Sequence, residues 1–135
     1  AGSVVGAVVC TRTDEELERD LRPEVLVQHM TCFSRSWGDR MKSLYREGCL
    51  FDKEEWLRLI KWFCCGDLTF EEAYKKTGRI LNVSLSATSK ATPPVLANYL
   101  TAPNVTIASA VVASAAVPFC VKPVILQVKD NNGIV

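Results

Sequence analysis

The chain has 135 residues, enough for a single domain with a real core, and 48% of them are apolar against 23% charged, which is ordinary globular composition. A formal net charge of +1 gives no electrostatic case for a nucleic-acid partner. The longest apolar run, residues 105–120, is broken by Pro118 and is too short and too rich in Ser and Thr to span a bilayer.

In chain order, the opening "AGSVVGAVVC" is locally ambiguous. Its valines favour a strand by propensity, whereas Gly2 and Gly6, four apart beside Ser3 and Ala7, would make a narrow strip on a helix where another backbone can approach. "TDEEL" predicts a helix start with Thr13 as N-cap and Glu16 completing a capping box. Pro23 suits the first turn of the next helix, which carries Val25, Leu26 and Met30. "WGDRMKSLYREG" reads as a short helix stopped at Gly48. "DKEEWLRLIKWFCCG" is the clearest helix, capped by Asp52 and Glu55 and ended by Gly66, with Trp56, Leu59, Ile60 and Phe63 on one face. That stripe reads as core in preference to a lipid-facing surface, because Glu54 and Glu55 dilute the basic face formed by Lys53, Arg58 and Lys61. "TFEEAYKKTG" repeats the grammar with Thr69, Glu72 and Gly78.

After Gly78 the period changes to two. "RILNVSLSA" is a strand, "SKATPP" a loop, and "PNVTIASAVVASAAVP" a small-residue segment closed by Pro118. "PVILQVKD" is predicted as a second strand and "NNG" as a turn leading to a third. The fold class is therefore α/β: a helical middle, then strand–helix–strand, with the remaining strands of the sheet expected outside the chain.

Six cysteines stand at 10, 32, 49, 64, 65 and 120 without any C-x-x-C pair, and the sole histidine, His29, has no ligand at metal spacing. No metal site is expected. The cysteines, Cys64 and Cys65 included, read as reduced, partly buried thiols of a reducing compartment. His29 reads as a helix-surface residue. The N-x-S/T triplets at Asn82 and Asn104 adjoin apolar runs and are not read as glycosylated.

Three blocks in order carry a resemblance. "AGSVVGAVV" comes first. A "TF-x-EAY … TGRILN" block follows, matched by Thr69, Phe70, Glu72, Ala73, Tyr74 and residues 77–82. The third is "NYLT-x-P" with "A-x-x-AS-x-A-x-P", matched at residues 98–101, Pro103, Ala110, Ala113, Ser114, Ala116 and Pro118. Together they resemble the patatin-like phospholipase family, nearest to the intracellular triacylglycerol lipases of fungi and plants. The resemblance implies a partial patatin-like sheet with flanking helices and a serine–aspartate dyad. The serine belongs to G-x-S-x-G on a strand-to-helix turn, and the base to a later Asp-Gly motif.

Neither motif is present in the chain. Ala1 and Gly2 fit the last two positions of G-x-S-x-G, so the resemblance makes the opening stretch the helix that follows the nucleophile turn. The nucleophile is therefore expected immediately before Ala1 and the aspartate beyond Val135, so residues 1–135 read as an internal fragment between the two, itself inactive. The Ala1 N–H is a candidate oxyanion donor. Ser3 is out of frame as a nucleophile. Ser114 reads as a small packing residue, and Gly6 and Ala7 are expected to meet such a small-residue surface. The resemblance further implies a lipid substrate, triacylglycerol or phospholipid, no cofactor, and peripheral contact with an intracellular membrane or lipid-droplet surface. A catalytically inactive lipid-surface scaffold and a lysolipid acyltransferase are the alternatives. Following "ASAAVP", the continuation "FCVKPVILQVKD" departs from the Gly-containing turn usual in these lipases and bears on substrate choice.

Overall fold

The computed structural model describes residues 2–29, 37–47, 53–87, 91–115, 125–130 and 132–133. Seven helices and two short strands are formed among them: α1 (Gly2–Thr11), α2 (Asp14–Asp20), α3 (Pro23–His29), α4 (Trp37–Glu47), α5 (Lys53–Phe63), α6 (Phe70–Thr77), β1 (Val83–Leu85), β2 (Val95–Ala97) and α7 (Ile107–Ser114). Helices mixed with a small antiparallel two-stranded sheet are consistent with the partial α/β domain that the resemblance implies.

Helix α7 is the centre. Every residue from Ile107 to Val112 is buried, and α1, α5 and β1 pack around it. Its small side chains allow this, since close approach of three neighbours leaves no room for a polar face. The core is completed by Ala7, Ile60, Cys64, Phe70, Ala73 and Val83. The α5 stripe enters this core as its period demands: Leu59 and Ile60 are buried, with Trp56 and Phe63 partly so.

Local grammar accounts for several helix ends. Thr69 and Glu72 form a complete capping box on α6, the Thr69 N–H donating to Oε2 of Glu72 at 3.0 Å and the Glu72 N–H to Thr69 Oγ1 at 3.2 Å. Gly78 ends α6 at φ 71°, in the left-handed region. On α2, the Thr13 hydroxyl accepts from the Glu16 N–H at 3.4 Å, and the Glu16 carboxylate also accepts from Lys76 of α6 at 3.0 Å. Asp52, Gly48 and Met30 lie outside the described residues.

The end of α5 differs from expectation. The left-handed residue is Cys65, at φ 55°, and Gly66 follows at φ 88°. The Gly66 N–H reaches back to the Lys61 carbonyl at 2.6 Å and the Cys65 N–H to that of Trp62 at 3.2 Å, a Schellman pairing. Gly66 thus supplies the next residue, not the turn itself. Cys64, fully buried, lies just before it.

Three further expectations are corrected, while the opening stretch is the helix that the resemblance implies: despite its valines, α7, α6 and α5 all pack on it, and tertiary contact outweighs a weak propensity. Its Gly6 meets not a small-residue helix but the Leu81 side chain, where an added Cβ would lie 3.1 Å from Cδ1. The "RILNVSLSA" strand is only three residues long, and its partner is Val95–Ala97, a segment that follows two prolines and has no strand signature. The predicted strand "PVILQVKD" does not form across residues 125–130. Val128 makes a single antiparallel bridge to Val105, framed by Thr106 N–H to Gln127 O and Lys129 N–H to Asn104 O, because α7 starts at Ile107 and takes the partner chain away. The expected turn is present at Asp130–Gly133, whose N–H···O bond is 3.0 Å, and residues 134–135 lie outside the described residues.

Candidate functional site

The start of α1, strand β1 and the end of α7 enclose a cleft of about 310 Å³. Gly2, Ser3 and Gly6 line it from α1, Asn82 and Ser84 from β1 and its approach, and Ser114 from the last residue of α7. Among the described residues that line it there is neither an aspartate nor a histidine. The unpaired first-turn N–H groups of a helix carry partial positive charge, so this end of α1 favours developing negative charge beside it. The lining supplies hydroxyls and amides to orient a polar group, and no base.

Ala1 lies outside the described residues. Gly2 is exposed, with nothing within 4 Å of the place a Cβ would occupy. Ser3 is half-buried and Ser114 exposed, and the structure brings them to the same cleft although 111 residues separate them in sequence. Ser114 is therefore a wall of the cleft, not the packing residue the sequence predicts. That packing role falls on Ser109, fully buried, whose Oγ donates to Thr106 O at 2.9 Å and accepts the Gln127 N–H at 3.1 Å. His29 is the last residue of α3. Asn82 and Ser84 are absent from the sequence-level candidates. Asn82 accepts from the Asn98 side chain at 3.1 Å, which ties the cleft rim to the Asn98–Thr101 turn.

The opposite end of α1 is held by side chains from elsewhere. The Arg79 guanidinium donates to Val9 O and Arg12 O, both at 2.9 Å, and pairs with Asp14. Thr77 Oγ1 sits 3.0 Å from Cys10 O. Arg12, just past α1, donates to the carbonyls of Trp62, at 2.6 Å, and of Phe63, which end α5, and to Asp20 at 3.0 Å.

The two buried thiols among the described residues are not candidate nucleophiles. Burial pushes the Cys64 thiol up to about 12 and also raises Cys10, with Arg79 opposing the latter shift. Both stay protonated at neutral pH and are poor nucleophiles. Among the described residues no three His, Cys, Asp or Glu side chains gather as metal ligands, and no helix is long and apolar enough to cross a membrane.

The family model for patatin-like phospholipases matches residues 1–133. A patatin-like phospholipase domain-containing protein of Aspergillus terreus is 48% identical over 134 residues, covering 98% of this chain and 18% of the relative. Proteins with that description from Coccidioides immitis and Cryptococcus neoformans are each 46% identical, again over 98% of this chain and over 18% and 15% of their own lengths. The chain thus spans less than a fifth of the curated relatives it matches. No solved structure matches it. With nearly its whole length matched at such identity, the chain belongs to the patatin-like phospholipase family.

Proposed function

We propose that residues 1–135 are the part of a lipid acyl hydrolase that lies between its two catalytic residues, with triacylglycerol as the preferred substrate. The observation that supports this most directly is that α1 begins at Gly2 and turns its first residues into a polar cleft walled by β1 and α7. A serine immediately before Ala1 would stand on the strand-to-helix turn with α1's positive pole behind it. Its hydroxyl oxygen attacks the ester carbonyl carbon while an aspartate from beyond Val135 takes the proton. The alcohol leaves with that proton, an acyl-enzyme forms, and water deprotonated by the same aspartate releases the fatty acid. The Ala1 N–H contributes to holding the oxyanion. The chain's own share is to orient α1 and to shape the cleft, so alone it hydrolyses nothing. Contact with lipid is peripheral, at an intracellular droplet or membrane surface, a compartment that the free thiols Cys10, Cys64 and Cys65 suit.

The test is made in the longer protein. Replacing the residue before Ala1 by Ala should lower triolein hydrolysis by at least about 1,000-fold, as loss of a nucleophile does. Undiminished hydrolysis would place the nucleophile elsewhere. A residue other than serine there, with no Asp-Gly following Val135, would make the protein a lipid-surface scaffold. Acyl transfer from acyl-CoA to lysophospholipid exceeding hydrolysis would make it an acyltransferase.

A further inference from the structure

The last residue of α6 and the segment after it run back along α1. Thr77 and Arg79 meet its last turn, through Cys10 O, Val9 O and Arg12 O. Leu81 meets Gly6 at its middle. Val83 and Ser84 reach the cleft beside Gly2 and Ser3 at its start. The lengths agree: α1 is about 15 Å long as a helix of its size, and an extended segment covers that in about five residues. One register of residues 77–84 against α1 therefore sets where β1 stands relative to the start of the helix.

That register is pinned at the α1 C-terminus. Helix α1 has no basic residue in its own last turn. Its carbonyls there would be left without partners, and Arg79 answers Val9 O of α1 and Arg12 O just past it from one guanidinium nitrogen while its other nitrogen pairs with Asp14 of α2. The left-handed turn at Gly78 redirects the chain over α1, and the Arg79 N–H is fixed on Thr77 Oγ1 at 3.2 Å. A cation at this pole also complements the helix dipole.

We propose that Arg79 is a positioning residue for the hydrolytic site: by anchoring the far end of α1 it sets the placement of α1's first turn against β1, and hence the aim of the nucleophile. The consequence for turnover rests on the hydrolase reading above. The anchoring itself does not.

The test uses the longer protein with Arg79→Ala, Arg79→Lys and Asp14→Asn. Active sites are counted by a fluorophosphonate that labels reactive serines, and turnover is expressed per labelled site. Arg79→Ala should lower kcat about tenfold with KM within about twofold, since a small misplacement of reacting groups acts on the chemical step. Arg79→Lys should recover part of that loss, because an ammonium on a flexible stem supplies the charge and donors but not the rigid plane that holds one nitrogen between the two carbonyls. Asp14→Asn, which leaves the carbonyl bonds in place, should leave kcat unchanged. A lowered melting temperature with kcat per labelled site unchanged in Arg79→Ala would overturn the proposal, as would an Asp14→Asn loss equal to that of Arg79→Ala. Should Arg79→Ala fail to fold, a wild-type kcat in Arg79→Lys would overturn it. If the wild type neither labels nor turns over, the hydrolase reading fails, and amide exchange then decides the anchoring: Arg79→Ala, or Arg79→Lys if the former does not fold, should speed exchange in residues 2–11 more than in α7, and an equal change in both would refute it.

Discussion

Two arginines do the same work at two helix ends in unlike surroundings. Arg12 closes the C-terminus of α5 and Arg79 that of α1, and each adds a carboxylate from α2, Asp20 at its last residue and Asp14 at its first. The Arg12 side chain is 2% exposed and lies 5.1 Å below the centre of the Trp62 ring, whereas that of Arg79 is 34% exposed. Water can take over the carbonyls that Arg79 serves but not those under Arg12. The buried arginine is therefore chiefly a matter of stability and the exposed one chiefly of placement.

Arg12→Ala is the most severe way to break this pairing. It takes the guanidinium from the Trp62 and Phe63 carbonyls and leaves Asp20 with Arg19 as its remaining arginine partner, and should destabilise the fold by about 3 kcal/mol, read as a fall in urea midpoint. Arg79→Ala should cost only about 1 kcal/mol by the same measurement, its pairing being screened by solvent. Equal losses would erase the contrast between the two.

Acid sharpens it. The Asp20 carboxyl is held below its ordinary value by the hydrogen bonds from Arg19 and then Arg12. A folded-state value below the unfolded one means that this stabilisation is complete above about pH 4 and is lost as pH falls further, through the folded value. Urea midpoints followed below pH 4 should fall less steeply in Asp20→Asn than in the wild type. The smallest effect is expected at the turn that Arg12 braces. Cys65 occupies the left-handed region there, and Cys65→Gly should raise stability by about 0.5 kcal/mol, by thermal denaturation. Gly78, which already closes α6 in that region, should lose stability when changed to Ala.

Much of the helical grammar was legible because it is local. The Thr69–Glu72 box, the Gly78 stop and the α5 stripe each depend on groups three to seven residues apart, whatever the rest of the chain does. The three family blocks were legible for a different reason, since residues 1–133 match the family model along their whole run. At the cleft, Gly2 and Ser3 could be placed from the resemblance. Asn82 and Ser84 could not, as nothing in an alternating strand says which face meets a helix start eighty residues earlier.

By itself, then, the sequence determined where most helices start and stop, the period-two strand at β1 and the family. Only the tertiary structure decided that Gly6 of the opening helix meets Leu81, that Val95–Ala97 rather than the 125–130 segment pairs as a strand, and that Ser3 and Ser114 share one cleft. It also decided which arginine braces which helix. The physical reason is range: caps and periods are satisfied within a turn or two, whereas Arg12 finds its carbonyls 50 and 51 residues away and Arg79 finds its own 67 and 70 residues away.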